Sequence, residues 1–230
     1  EKVNELKSYF KNILILTSDL SETVSQIERI KHENLVFVSQ YNFFGDSYLK
    51  KSKIFKVFSY FDNLPFFFFF FDLIICNLNF HNILNKKDYL NNLNSILSEN
   101  GLLICNFFGE NSLFELRRSL ILTDEALYNG SFLRIQKNIT MIEFSNLLTK
   151  SGFKDIVNEK INYQIYYKNI ISLLKDIRGI GENSGMDFKE IKISKGYIKL
   201  LEMIYKKKFS NTDNQLKLSV DIISSCSWKN

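Results

Sequence analysis

Four short stretches of the chain carry side chains suited to chemistry. "CNLNFHN", residues 76–82, sets Asn77, Leu78 and Asn79 ahead of His81. A histidine in such a loop works as a base near neutral pH or orients a substrate; otherwise it caps the loop. "ELRRS", residues 115–119, supplies Arg117 and Arg118. A guanidinium there neutralises a carboxylate or phosphate, or forms an intrahelical pair of the Glu115–Arg118 type. "LKDIRGIGEN", residues 174–183, gathers Asp176, Arg178 and Glu182 around Gly179 and Gly181. A simple helix stop needs only one glycine, so this pair marks either a double stop or a functional edge. "ILILTSDLSE", residues 13–22, runs an apolar strand into a helix start through Thr17, Ser18 and Asp19. Many α/β proteins hold a phosphate or nucleoside cofactor at such a turn, usually with glycines that let backbone approach the ligand. This turn has none.

The elements that position these residues follow from composition and periodicity. At 230 residues the chain is long enough for one α/β domain. Its 45% hydrophobic and 24% charged content is globular. With 22 Phe and 11 Tyr beside much Lys, Asn and Ile, the composition resembles AT-rich codon bias, so the Phe66–Phe71 run needs no special chemistry. A net charge of +5 is far from a nucleic-acid footprint, and Lys206-Lys207-Lys208 reads as a solvated helix end. Cys76, Cys105 and Cys226 lack metal spacing and sit in apolar, strand-like stretches, so they read as buried thiols in a reducing compartment, with no metal expected. No apolar run reaches the roughly 20 residues of a membrane span. No signal peptide is visible, and a first residue of Glu1 instead of Met leads us to expect a removed leader or N-terminal segment.

Strands are predicted at Ile13–Leu16, Leu35–Val38, Ile54–Ser59, Phe71–Cys76, Leu102–Phe107, Lys154–Ile161 and Leu216–Ile223. Helical spacing predicts Glu1–Phe10, Ser21–Lys31 (capped by Asp19 or Ser21), Lys87–Leu97, Leu113–Leu127, Met141–Lys150, Ile170–Ile177 and Ile198–Lys206. "SENG" closes the Lys87 helix with Gly101 at C′. "NYQIYYK", residues 162–168, reads as a half-buried strand rather than a stacking surface. The alternation gives an α/β fold: a doubly wound, mostly parallel seven-stranded sheet with helical insertions in the C-terminal half. With no repeat and no linker composition, residues 1–230 read as a single domain. About 1–110 form a cofactor half and about 111–215 carry substrate or lid elements. Ligands on such sheets bind beyond the carboxyl ends of the strands, so loops 17–21, 39–45, 60–65, 77–84 and 107–112 are the informative ones.

"DNLPFFFFFFDLIICNLNFHNI" and "LNSILSENGLLI" resemble the acidic loop, fourth strand and Gly-turn fifth strand of class I S-adenosylmethionine-dependent methyltransferases. "FFGENSLFELRRSL", "LLTKSGF", "LLKDIRGIGENS" and the terminal "SCSW" are similar to one branch of that Rossmann-like superfamily. It holds the biotin-pathway methyltransferase of malonyl carrier protein and the respiratory complex I assembly factor, an arginine hydroxylase. The second is the nearer match.

The resemblance implies S-adenosylmethionine as cofactor and methylation of a carboxylate, on a carrier-protein-linked or protein substrate. It implies no nucleic acid and no membrane span, in the cytoplasm or, in a eukaryote, the mitochondrial matrix. Thr17, Ser18 and Asp19 would face the methionine part, Ser39 and Gln40 the ribose, Phe61 and Asp62 the adenine, with Asn77 and Leu78 beside them. His81, Arg117 and Arg178 would face substrate, with Asp176, Gly179, Gly181 and Glu182 as a lid edge. The family's Asp-x-Gly-x-Gly-x-Gly loop is here Ile15-Leu16-Thr17-Ser18-Asp19-Leu20-Ser21, without its first acid and its glycines. The acid expected after the second strand is also missing. Two lost charge-assisted hydrogen bonds, at about 1.5–3 kcal/mol each, weaken binding about 100-fold or more. The loop thus reads as the remains of a cofactor site. The alternatives are an assembly factor with arginine hydroxylase chemistry and a degenerate, non-catalytic binding module.

Overall fold

The computed structural model describes residues 9–17, 30–39, 54–61, 64–179 and 193–229. Seven strands form one sheet in the order β3-β2-β1-β4-β5-β7-β6. They are β1 (Tyr9–Thr17), β2 (Lys31–Ser39), β3 (Ile54–Phe58), β4 (Phe71–Asn77), β5 (Leu97–Phe108), β6 (Phe153–Tyr167) and β7 (Leu216–Lys229). The pairs β1–β2, β1–β4, β2–β3 and β4–β5 are parallel. Ile13, Leu14, Ile15 and Leu16 are all fully buried, as expected of a central strand covered on both faces. The helices are α1 (Lys86–Ile96), α2 (Phe114–Tyr128), α3 (Met141–Lys150), α4 (Ile170–Gly179) and α5 (Lys195–Phe209). No helix of the described residues is long and apolar enough to cross a membrane.

The described residues fall into two compact units, one within Glu1–Phe107, Thr140–Glu159 and Ile223–Asn230, the other within Phe108–Ile139 and Lys160–Ile222. In the first, Phe10, Ile13, Ile15, Leu35, Phe37, Leu73, Ile75, Leu102, Ile104 and Cys226 make one core. A second cluster stacks Phe80, Phe107 and Phe144, each fully buried, with ring centroids 4.6–5.1 Å apart. Helix α3 starts at a reciprocal capping box between Thr140 and Glu143. In the other unit, Leu116 and Leu120 of α2 pack with Leu173 and Ile177 of α4, Tyr197, Leu201 and Tyr205 of α5, and Leu216 and Leu218 of β7.

Several local expectations change. Tyr9 and Phe10 open β1 instead of closing a helix, because Phe10 goes into the core while pairing with His32. Residues 1–8 and 21–29 lie outside the described residues, as do the caps placed at Asp19 and Ser21, and Lys31 belongs to β2. Helix α1 stops at Ile96, and Gly101 lies inside β5, not at a helix C′ position. Phe71 pairs with Leu97 but Leu73 with Leu102, so the extra residues bulge out, with Asn100 at φ 56°. A Cβ on Gly101 would stand 2.7 Å from Leu97 Cγ and 2.8 Å from the Ser98 carbonyl oxygen. Gly101→Ala is therefore expected to lower stability by about 1–3 kcal/mol, read as a shifted urea midpoint. In the Phe run, Phe71 is buried in β4 while Phe67, Phe68, Phe69 and Phe70 are exposed.

Candidate functional site

The first unit lines up five residues across the carboxyl ends of its parallel strands. Ser39 pairs with Phe58, Leu16 with Val38, Thr17 with Asn77, and Asn77 with Asn106. The row thus runs Phe58, Ser39, Thr17, Asn77, Asn106 along the edge where doubly wound sheets bind ligands. Thr17 and Ser39 are buried, and the Ser39 carbonyl accepts from the Ser59 amide at 3.3 Å. Asn106 Nδ2 donates to Asn77 Oδ1 at 3.4 Å.

The turn after β4 is tightly fixed. Leu78 has φ 51°, and its amide donates to the Asn106 carbonyl at 2.8 Å. Asn79 is 2% exposed; its Nδ2 donates to the Leu16 carbonyl at 3.2 Å, which ties this turn to the end of β1. Its Oδ1 is buried without a hydrogen-bond partner. A buried acceptor left unmatched costs about 1–3 kcal/mol, so it persists where something else supplies a donor or the backbone clamp outweighs it. His81 lies in the 3-10 turn Phe80–Asn82, half-buried, with Nε2 3.2 Å from Asn82 Nδ2. Phe61 is buried.

The layer beneath is uncharged. Cys76 pairs in register with Cys105, and the Tyr89 hydroxyl lies 3.4 Å from Cys76 Sγ. Burial pushes both the Tyr89 hydroxyl and the Cys105 thiol well above their ordinary ranges. All three cysteines are buried and none forms a disulfide. Among the described residues no group of three or more His, Cys, Asp or Glu is placed to hold a metal.

The other substrate-facing candidates belong to the second unit. Arg117 on α2 is half-buried; its Nη2 donates to the Ser112 carbonyl at 2.8 Å and its buried Nε has no partner. Burial holds its guanidinium below the usual value. Glu115, expected to pair with Arg118, instead accepts from the Ser219 amide at 2.9 Å and from its hydroxyl. The exposed Arg118 keeps to solvent because Glu115 is buried. Arg178 is exposed in the last turn of α4. Asp176 receives the Tyr167 hydroxyl, and burial together with that carboxylate raises Tyr167 above its usual range. Ser18, Asp19, Gln40, Asp62, Gly181 and Glu182 lie outside the described residues.

Asn106 was missed from the sequence, although a signal was present. β4 ends Ile-Ile-Cys-Asn and β5 carries Leu-Ile-Cys-Asn, and the two asparagines pair in register. Two parallel strands that carry the same Ile-Cys-Asn run mark facing positions.

The sheet order, its parallel centre and the placement of helices define the class: the fold is that of class I S-adenosylmethionine-dependent methyltransferases. Among solved structures, YcgJ from Bacillus subtilis aligns with TM-score 0.69 at 13% identity, covering 100% of this chain and 95% of that one. An S-adenosylmethionine-dependent methyltransferase from Archaeoglobus fulgidus aligns at 0.52 and 11%, covering 95% and 86%. No family model matches the chain. Its sequence relatives lie in the branch that joins arginine-hydroxylases to malonyl-carrier-protein methyltransferases. The mitochondrial arginine-hydroxylase NDUFAF5 of Danio rerio is 25% identical over 159 residues, 69% of this chain and 50% of that protein. Malonyl-[acyl-carrier protein] O-methyltransferase 1 of Ilyobacter polytropus is 32% identical over 142 residues, 61% of this chain and 50% of that protein. The chain spans about half the length of these two curated relatives.

Proposed function

We propose that the chain works as an S-adenosylmethionine-dependent methyltransferase acting on a carboxylate or protein-borne group, with the cofactor held at the carboxyl edge of β1, β2 and β4. The observation that carries this is the register row Ser39–Thr17–Asn77 beside the orphaned, buried Asn79 Oδ1. These uncharged groups suit a polyhydroxylated, amino-bearing ligand: hydroxyls for the ribose, amide oxygens for an ammonium or adenine amine. Thr17, Asn77 and Asn79 would hold the amino-acid end, Ser39 the ribose and Phe61 the base, with Ser18, Asp19, Gln40 and Asp62 extending the set. The bound cofactor supplies an electrophilic methyl group on a sulfonium. The chain's own task is alignment, since displacement at a methyl needs donor and acceptor in line far more than it needs a base. Within the second unit, Arg117, half-buried with no acidic partner among the described residues, carries a guanidinium suited to a carboxylate.

Calorimetric titration with S-adenosylmethionine tests this reading. Saturable heat at tens of micromolar is expected, and Asn79→Ala should weaken it about tenfold, the loss of roughly one hydrogen bond. Absence of heat at millimolar cofactor would overturn it in favour of a non-catalytic binding module.

The arginine-hydroxylase relatives favour a second reading, in which the same fold modifies an arginine of a protein partner during assembly of a respiratory complex. Intact-mass analysis of a modified substrate separates the two, since methylation adds CH₂ and hydroxylation adds one oxygen. The mitochondrial relatives favour a mitochondrial location if the source is eukaryotic, for which our reading is the matrix; otherwise our reading is the cytoplasm.

A further inference from the structure

β6 ends the sheet, with β7 as its one neighbour among the described strands. At 15 residues it is long for an edge strand. Every side chain from Ile161 to Tyr166 is exposed, so both faces of this stretch are open. Natural edges are blunted by a charge, a proline, a bulge or a covering element. Between Lys160 and Lys168 the sequence INYQIYY carries no charge, proline or glycine. On one face the alternating row Ile161, Tyr163, Ile165 reads the same in both directions.

We propose that β6 pairs antiparallel with β6 of a second copy of the chain, about a two-fold axis through Tyr163. Each Tyr163 then faces its counterpart, and Ile161 faces the partner's Ile165. Asn162 meets the partner's Gln164, Lys160 the partner's Tyr166, and Asn158 the partner's Lys168. No two like charges are opposed, Tyr–Tyr is a favourable cross-strand pair, and Lys160 keeps its own ion pairs to Glu110 and Asp221 at 2.9 and 3.0 Å. An unrelated extended peptide would also find the backbone edge, but it has no reason to match a row that is its own mirror. A two-fold axis matches it automatically. Ile161, Tyr163, Ile165 and Tyr166 are 37–50% exposed. At about 200 Å² for a large side chain they offer roughly 350 Å², short of the about 800 Å² per partner of a stable interface. The pairing is therefore concentration-dependent.

Sedimentation velocity on the full chain, from micromolar to sub-millimolar, tests this with a charge swap. Tyr163 is exposed, so Tyr163→Lys and Tyr163→Glu leave the fold intact, checked by circular dichroism. Each variant alone places like charges across the axis and should raise the dimer dissociation constant at least about tenfold. An equal mixture of the two should recover dimer. A wild-type chain that stays monomeric throughout, variants that dimerise like wild type, or a mixture that stays monomeric would each overturn the proposal.

Discussion

Replacing Asp124 with alanine is expected to lower the stability of the second unit by about 3–5 kcal/mol, because it strands a buried guanidinium. Asp124 is fully buried on α2 and Arg134 is 2% exposed. Arg134 Nε donates to both Asp124 oxygens at 3.1 and 2.8 Å, and its Nη2 donates to Oδ1 at 2.8 Å. The Tyr197 hydroxyl donates to Oδ1 at 2.8 Å, and the Phe132 amide to Oδ2 at 3.3 Å. The Arg134 guanidinium also lies over the Phe132 and Tyr197 rings, 5.4 and 5.1 Å from their centroids. Every lone pair of the carboxylate has an employer, so one deletion orphans four donors. Asp124→Asn keeps an acceptor for Tyr197 but no charge, and should fall between wild type and Asp124→Ala. Equilibrium urea unfolding reads both, and a cycle with Arg134→Ala should be strongly non-additive.

The same cluster sets an acid limit. Burial alone would raise the Asp124 carboxyl, but the Arg134 guanidinium and the Tyr197 hydroxyl outweigh it and hold the carboxyl below its usual value. A depressed folded value means that the unfolded chain takes up the proton first as pH falls. The stabilisation is therefore complete above about pH 4, the ordinary aspartate range, and disappears as pH drops through the lower folded value. Loss of stability setting in between pH 6 and 8 would contradict this.

Phe144→Ala is expected to cost the first unit about 3–5 kcal/mol, the usual range for emptying a large ring from a core. Its ring meets Phe80 and Phe107 edge-on at 4.8 and 4.6 Å. Phe80 opens the turn that carries His81 and directly follows Asn79, and Phe107 directly follows Asn106. The cavity thus opens behind the Asn77–Asn106 end of the polar row. On the proposed reading, affinity for S-adenosylmethionine should fall together with the urea midpoint, whereas Phe144→Leu, which keeps most of the volume, should spare both in large part. A Phe144→Ala chain with an unchanged midpoint would show that α3 is not buttressing this turn.

Much of the fold was legible because periodicity survives a biased composition. The seven strands and the helices at 86–96, 114–128, 141–150, 170–179 and 195–209 follow from apolar runs and 3.6-residue stripes. Gly101 misled because a glycine after Ser-Glu-Asn signals a helix end as well as it signals a bulge. β6 ran to Tyr167 with exposed rather than half-buried faces, since alternation reports a strand but not whether anything covers it. Asp124 sits on the buried stripe of Leu116, Leu120 and Thr123, a local sign of an internal partner. Nothing local identified Arg134 or Tyr197, which only tertiary packing brings to it. Asn77 and Leu78 were legible as a strand end; the hydrogen bond from Asn79 back to Leu16 was not.

The paired sulfhydryls of Cys76 and Cys105 have a practical consequence. They are sealed within adjacent central strands, and burial disfavours the thiolate at Cys105. An alkylating reagent must wait for those strands to part. The speed of labelling under native conditions therefore gauges how often the heart of the sheet opens, and the chain carries this gauge without any engineered probe.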